Sequence, residues 1–415
     1  MNPTYRVHFL GCKANQSDAL SVAGILERAG WKEASANQNP SLMIVQTCTV
    51  TMSADAQGRQ LIRKLKRENP SSKILMTGCY AERVKNFSGA DYVVGNLQPD
   101  RLKIFSQIAG QTFSEPYPDF PLPAAPARTR TYIKIQDGCD ANCSYCIIPS
   151  VRGKSRSLPI EEVIRRVEHF RDAGYKEMIF TGISMGGYGK DLSPKTNLTA
   201  LIRRVDDLSG DFRIRLSSLE PEEIDDEFIE TFIASRKFQP HLHLPLQSAS
   251  DRVLKKMRRQ YLFKRYDSIV RRIFAKISDL NLGTDILVGF PNEDHDAFLE
   301  TYNYVKGVPF AYCHVFPYSS RPDTPAASFQ RVVSNAEASD RAAKLRELAV
   351  EKNMRYRMNF LGRPLRALVL HGGMEALTDN YIHVHMEQQA KQEVVQVEIQ
   401  SIDGVRTVAN VIGGE

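Results

Sequence analysis

The sequence predicts an α/β protein in three parts. These are an N-terminal open parallel α/β domain (1–113), a central partial (β/α)6 barrel (128–357) and a small C-terminal β-barrel (358–415). A Pro-rich linker at 114–127 separates the first two. Three observations carry this prediction. β-Branched runs alternate twice over with amphipathic helical segments, the pattern of parallel sheets with helical crossovers. Pro116, Pro118, Pro121, Pro123 and Pro126 interrupt that alternation, and residues without an amide proton serve neither helix interiors nor sheet ladders. Near the end the helical period gives way to short strands with Gly-containing turns, which suits a small β-barrel.

In the first part the predicted strands are YRVHFL (5–10), SLMIVQT (41–47), KILMTG (73–78) and DYVVGN (91–96). SDALSVAGILERAG and ADAQGRQLIRKLKREN carry apolar residues at helical spacing and end at Gly or before Pro. In the second, the strands are TYIKIQ (131–136), EMIFTG (177–182), FRIRLSS (212–218), HLHLPLQ (241–247), TDILVGF (284–290) and YCHVFPYS (312–319). Six successive βα units predict an incomplete barrel rather than a closed eight-fold one. The charged helical segment NAEASDRAAKLRELAVEKNMRYRMNFLG leads to the last strands, LRALVLH, NYIHVHM and EVVQVEIQSI.

The chain has 415 residues, 42% of them hydrophobic and 25% charged, which excludes wholesale disorder and fibrous repeats. No apolar run reaches the ~18 residues of a membrane span. MNPTYRVHFLGCK has no charged leader followed by an apolar stretch, so a cytoplasmic protein is expected. The net charge of +7 permits a nucleic-acid partner without requiring one.

Seven cysteines in such a chain point to metal binding or chemistry rather than disulfides. Cys139, Cys143 and Cys146 form a C-x3-C-x2-C loop directly after a predicted strand. Three thiolates so spaced can wrap one face of a cubane cluster and ligate three of its irons, leaving the fourth without a protein ligand. Structural zinc usually takes four ligands in two pairs, and no fourth Cys or His stands at that spacing. Cys12, Cys48 and Cys79 each follow a predicted parallel strand, and in an open α/β sheet that edge gathers ligands. They are expected to hold a second cluster jointly. Cys313, inside a strand, is expected to be a core thiol.

The triad with Tyr145 before its third cysteine resembles the radical S-adenosylmethionine superfamily. The resemblance implies a [4Fe–4S] cluster whose open iron binds S-adenosylmethionine and cleaves it to a radical. It also implies a cofactor pocket with Tyr145, Gly182 near the amino group, and Ser217, Ser218 and Glu220 near the ribose. GCKANQSDA, QTCTVT, TGCYAE, IQDGCDANCSYCIIPSVRGKSRS, HLPLQSAS, LKKMRRQY and HVFPYSSRPDTPAA, taken in order, resemble the radical S-adenosylmethionine methylthiotransferases over nearly the whole chain.

Within that family GCK-x-NQ, TCTVT and IQDGC most resemble the branch acting on threonylcarbamoyladenosine in tRNA. The implied cofactors are two [4Fe–4S] clusters and S-adenosylmethionine. The implied partners are a tRNA anticodon loop, an electron donor such as flavodoxin or ferredoxin, and a sulfur source. The alternatives are isopentenyladenosine in tRNA, a ribosomal-protein aspartate or, from another class, a non-catalytic zinc-containing RNA-binding protein.

Gln46, Ala249 and Asn292 depart from the family's Asn, Gly and Gly. The last part, a TRAM-like β-domain by resemblance, holds four basic and seven acidic residues from Phe360 onward. Positive charge gathers instead in DRVLKKMRRQYLFKRYDSIVRRIFAK. Arg258, Arg259 and Lys264 there are expected to meet phosphates. Arg152 and Arg156, directly after the radical cluster's cysteines, are the candidates to meet the carboxylate that a threonylcarbamoyl group brings, with a phosphate contact or a structural role as the alternatives.

Overall fold

Five strands form a parallel sheet: β1 (Thr4–Phe9), β2 (Lys32–Glu33), β3 (Leu42–Thr47), β4 (Lys73–Gly78) and β5 (Tyr92–Val94), in the order β2-β1-β3-β4-β5. The computed structural model describes residues 2–35, 37–125, 129–370 and 372–414. Every residue of β3 is buried, as the uninterrupted apolar run LMIV requires of a strand covered on both faces. Helix α1 (Lys13–Arg28) packs Ile25 and Leu26 against Tyr5, Leu42 and Ile44 on one face. Helix α2 (Met52–Glu68) packs Ile62 and Leu65 against Met43, Val45 and Met76 on the other. Thr51 caps α2 by accepting from the Ala54 amide. Two further helices, α3 (Cys79–Val84) and α4 (Arg101–Ala109), complete this part.

The Pro-rich stretch forms no helix or strand over 114–125 and lies along α1. The Ala124 amide donates to the Leu20 carbonyl at 2.8 Å, and Ser21 Oγ donates to the Pro121 carbonyl at 2.9 Å. Pro126 and the end of the expected linker lie outside the described residues.

Strand β6 (Arg130–Lys134) opens the second array, and an antiparallel ribbon of β7 (Gln136–Asp137) and β8 (Arg156–Ser157) brackets the loop after it. There follow β9 (Glu177–Thr181), β10 (Arg213–Leu216), β11 (His241–His243), β12 (Asn281–Val288) and β13 (Tyr312–Pro317). The ladders β6-β9-β10 and β11-β12-β13 are joined by parallel bridges at Ile214–Phe238 and Ser218–His243. Among the described residues no strand pairs β13 back to β6, so the six strands form an open arc. Helices α5 (Ile148–Arg152), α6 (Ile160–Asp172), α7 (Leu198–Asp206), α8 (Asp226–Ala234), α9 (Asp251–Lys256), α10 (Phe263–Lys276), α11 (His295–Gly307) and α12 (Asn335–Met358) follow in chain order. Ile214, Leu216, Leu242, Leu244, Leu282 and Ile286 belong to the core under the helices. By strand alternation, Glu177, Arg215, His243 and Asp285 face the lumen.

A closed five-stranded barrel ends the chain: β14 (Pro364–Val369), β15 (Glu375–Thr378), β16 (His383–Met386), β17 (Val394–Asp403) and β18 (Arg406–Gly414). It docks on the N-terminal ends of the arc's strands. Buried Glu177 accepts from Arg213 Nε at 2.6 Å and Arg215 Nε at 2.8 Å. The same arginines reach Asp379 and the Leu377 and Thr378 carbonyls. Tyr381 stacks on His241 with centroids 4.1 Å apart. At the opposite end, Arg321 pairs with Asp55 at 2.6 Å and Ser319 Oγ accepts from the Met52 amide at 3.2 Å. These interactions fix the first domain over the barrel's mouth.

Candidate cysteine metal centres

In the first sheet the strand order reverses between β1 and β3, since β2 lies on one side of β1 and β3 on the other. Such a switch point opens a crevice beyond the strands' carboxyl ends. Cys12 is the N-cap of α1, Cys48 follows β3 directly, and Cys79 begins α3 directly after β4. Two glycines bring the three together. At Gly11 (φ +94°) a Cβ would lie 2.9 Å from Cys48 Sγ; at Gly78 (φ +97°) it would lie 2.5 Å from the Thr47 carbonyl. Only glycine meets both the backbone and the space.

Arg152 closes this site from the second domain. It is fully buried. Its Nε donates to Cys79 Sγ at 3.3 Å, Nη1 to Asp137 at 2.9 Å, and Nη2 to Asn15 at 2.5 Å and Asp18 at 2.9 Å. Lys134 bridges the same two carboxylates at 2.5 and 2.6 Å. Against their burial, the two cations hold Asp137 well below the usual carboxylate range and lower Asp18 as well. Burial pushes the Cys79 thiol up to about 12, with Arg152 opposing, and raises Cys48 as well. Buried thiols in that condition ionise when a metal replaces the proton. With one guanidinium aimed at a sulfur, the residues fit a thiolate-ligated cluster.

The second triad sits in the loop between β7 and α5. The Cys139 amide donates to the Gly153 carbonyl, Cys146 N to Cys143 O, and Ser144 N to Met257 O. Arg259 Nη1 donates to Cys143 Sγ at 3.4 Å and pairs with Glu220. The three cysteines line a cavity of about 340 Å³ with Ser184, Glu220, Glu222, Glu223, Gln247 and Arg259. These lie beyond the carboxyl ends of the strands, where barrels place their sites. Gln136 Oε1 accepts from the Ile183 and Ser184 amides at 2.9 and 2.8 Å, while its Nε2 donates to the Gly138 carbonyl at 2.7 Å. That amide pins the turn after β9 to the cysteine loop. Burial raises Glu222 and lifts Glu223 to about 7, Lys190 opposing. An acidic wall beside three thiols fits a cationic cofactor held against a cluster with one open iron.

Of the expected cofactor residues, Tyr145 and Glu220 line the cavity. Gly182 stands beside it, where a Cβ would lie 2.9 Å from Gln136 Oε1. Ser217 is buried and bonds Met185 Sδ at 3.2 Å. Ser218 is exposed and does not line the cavity. Ser184, Glu222, Glu223 and Gln247 were not anticipated, although two of them stand within two or three residues of Glu220 in LEPEE.

The expected RNA contacts divide sharply. For Arg152 the substrate-carboxylate reading is corrected and the structural alternative holds: with no exposed surface and every nitrogen engaged, it serves Cys79 and the carboxylates around it. Arg259 is corrected likewise, its side chain being 5% exposed. Arg156 is 30% exposed and pairs with Asp119 at 3.1 Å. Arg258 and Lys264 are exposed and have no ion-pair partner among the described residues. Much of the remaining run is neutralised locally: Arg252 by Asp294, Arg271 by Asp267, Arg272 by Asp226 and Lys276 by Glu230. Cys313 is half-buried, its thiol pushed up to about 12 by burial.

Residues 133–305 match the Radical SAM superfamily and residues 4–94 match Uncharacterized protein family UPF0004. The threonylcarbamoyladenosine tRNA methylthiotransferase MtaB of Bacillus subtilis is 35% identical over 405 residues, covering 92% of this chain and 90% of the relative. That of Aquifex aeolicus is 34% identical over 393 residues, covering 91% and 95%. The tRNA-2-methylthio-N(6)-dimethylallyladenosine synthase of Pelotomaculum thermopropionicum is 33% identical over 373 residues, covering 84% and 83%. In fold, the chain is similar to the radical S-adenosylmethionine methyltransferase TsrM of Kitasatospora setae. The TM-score is 0.54 at 14% identity, over 79% of this chain and 77% of that one. Fold and cysteine loop together define a radical S-adenosylmethionine enzyme. More narrowly, the chain belongs to the radical S-adenosylmethionine methylthiotransferases. Among the described residues no helix is long and apolar enough to cross a membrane.

Proposed function

We propose that the protein inserts a methylthio group at C2 of N6-threonylcarbamoyladenosine at conventional position 37 of tRNA, in the cytoplasm. The observation that supports it best is a buried arginine, on the helix directly after the second triad, that donates to Cys79 of the first, in a chain whose threonylcarbamoyladenosine-modifying relatives match along almost its whole length. Cys139, Cys143 and Cys146 would hold the radical cluster, and Cys12, Cys48 and Cys79 the auxiliary one. When bound, the first with S-adenosylmethionine supplies a 5′-deoxyadenosyl radical, and the second supplies sulfur that S-adenosylmethionine methylates.

The chain's own residues orient and exclude. Glu220, Glu222 and Glu223 would meet the cofactor's positive charge, and Arg259 balances Glu220 while donating to Cys143. Gln136 fixes the turn that would border the cofactor, and Arg152 ties the helix after the second triad to Cys79 of the first. An external one-electron donor such as flavodoxin or ferredoxin, and a sulfur source, complete the system.

Nucleoside analysis of tRNA from a deletion strain tests the proposal. Loss of the 2-methylthio derivative with accumulation of threonylcarbamoyladenosine is expected; an unchanged nucleoside profile contradicts it. Iron and sulfide analysis separates the non-catalytic zinc alternative, with about eight irons per chain expected from two four-iron clusters and stoichiometric zinc contradicting them.

A further inference from the structure

Outside both cysteine sites, three metal-ligating side chains converge on the outer face of the C-terminal barrel. Glu375 and His385 are direct cross-strand partners in the β15-β16 ladder, and His383 stands two residues before His385. Strand alternation puts all three on one face, while Ala376, Val384 and Met386 fill the barrel's interior on the other. Glu375 Oε2 lies 3.4 Å from His383 Nε2, and Oε1 lies 3.4 Å from His385 Nδ1. One donor atom from each residue falls within 4.8 Å of the other two.

We infer that Glu375, His383 and His385 form a binding site for one divalent transition-metal ion of the zinc type, with solvent as the fourth ligand. Zinc takes imidazole nitrogen and carboxylate oxygen at about 2.0–2.2 Å in a tetrahedron, whose edge is then about 3.3 Å. The two nitrogen–oxygen separations match that edge. They are long for charge-assisted hydrogen bonds, which close to ~2.7–2.9 Å. Two imidazoles among three donors disfavour magnesium and calcium, which take oxygen ligands.

The backbone holds the donors in place before any ion arrives. Both strands belong to a closed barrel, and β16 is paired on its other edge to β18 through His385 and Val408. Leu377, the cross-strand partner of His383, is buried where Arg213 meets its carbonyl, so this end of the ladder is pinned to the arc. The three side chains are 35–47% exposed and so open to an ion from solvent. Burial lowers His383 below its usual range, Glu375 opposing while His385 and Arg130 add to the effect. Its imidazole is therefore neutral at pH 7, the form that ligates a metal.

The test dialyses anaerobic holoenzyme against micromolar free zinc in millimolar magnesium, then measures zinc and iron per chain by mass spectrometry. The wild type is expected to hold one zinc more than the double variant His383→Asn, His385→Asn, at equal iron. Zinc should also slow hydrogen exchange of the 375–386 amides in the wild type, by up to roughly 100-fold at 100 times Kd, and not in the double variant. Glu375→Gln, which keeps both imidazoles, should need more zinc for the same slowing. Zinc bound here adds to about eight irons, whereas zinc found in their place contradicts the clusters and not this site. Equal zinc in the wild type and the double variant, or exchange at 375–386 that zinc leaves unchanged, overturns the proposal.

Discussion

Removing Arg152 exposes how the two halves are held. Arg152, Lys134, Asp18 and Asp137 make a neutral foursome, each side chain 7% exposed or less. Arg152→Met leaves two buried carboxylates against one ammonium, and strips Cys79 of its donor and Asn15 of its guanidinium. Breaking a buried pair by deleting one partner costs about 3–5 kcal/mol. That corresponds to a rise of roughly 140- to 4,000-fold in the equilibrium for opening the first domain away from the barrel. Native-state hydrogen exchange on the amides of α1 and α5 reads this opening directly. Arg152→Lys should recover part of the protection, because it restores charge without the planar fork. Exchange in Arg152→Met within threefold of wild type would refute the claim that this side chain holds the first domain to the barrel.

Three more outcomes follow from the geometry. Replacing Cys12, Cys48 and Cys79 by Ala should stop methylthiolation while cleavage of S-adenosylmethionine stays measurable. Replacing Cys139, Cys143 and Cys146 should abolish cleavage; loss of cleavage in the first variant with its radical cluster intact would falsify the division. Neutralising Arg258 and Lys264 should lower the log–log salt slope of tRNA binding by about 0.7–0.9 for each phosphate left without its cation, and an unchanged slope would mark them as a solvated face. Glu177, fully buried among Arg130, Arg213 and Arg215, is held down to about 2 from 4.5 by those charges despite its burial. A depressed carboxyl contributes stability above its unfolded pKa and loses it as pH falls through the folded one. About 3 kcal/mol should therefore be present above pH 4.5 and vanish towards pH 2. Glu177→Gln should remove that pH dependence and loosen the C-terminal barrel, as read by stability against pH and by proteolysis near 359–363.

The long elements were legible in the sequence because buried strands such as LMIV must be uniformly apolar and helices such as α6 must be amphipathic. Strand β2 and helix α3 are too short to show a period, so neither was visible. Cysteines at strand ends could be read as a set because parallel topology brings equivalent ends together. What the sequence concealed was direction. Arg152 and Arg259 stand in basic runs and look like surface charge, yet both point inward to cysteine sulfurs. Arg272 and Lys276 look free, yet find Asp226 and Glu230, 46 residues away. Long-range pairing of that kind leaves no local trace. Asn292, one of the departures, adopts φ +85°, the backbone of the glycine it stands in for, which Asn tolerates better than most residues. The acidic C-terminal barrel directs part of its charge to the arc: Asp379 pairs with the buried Arg213.

The chemistry and its substrate can be tested together in one assay. Purified holoenzyme, a reducing system and S-adenosylmethionine are incubated with tRNA bearing or lacking the threonylcarbamoyl group, and nucleosides are scored by mass spectrometry. The expected result is 2-methylthio-threonylcarbamoyladenosine from the modified tRNA and little product from the unmodified one. Equal product from unmodified or isopentenylated adenosine, or product on a ribosomal protein alone, would contradict it.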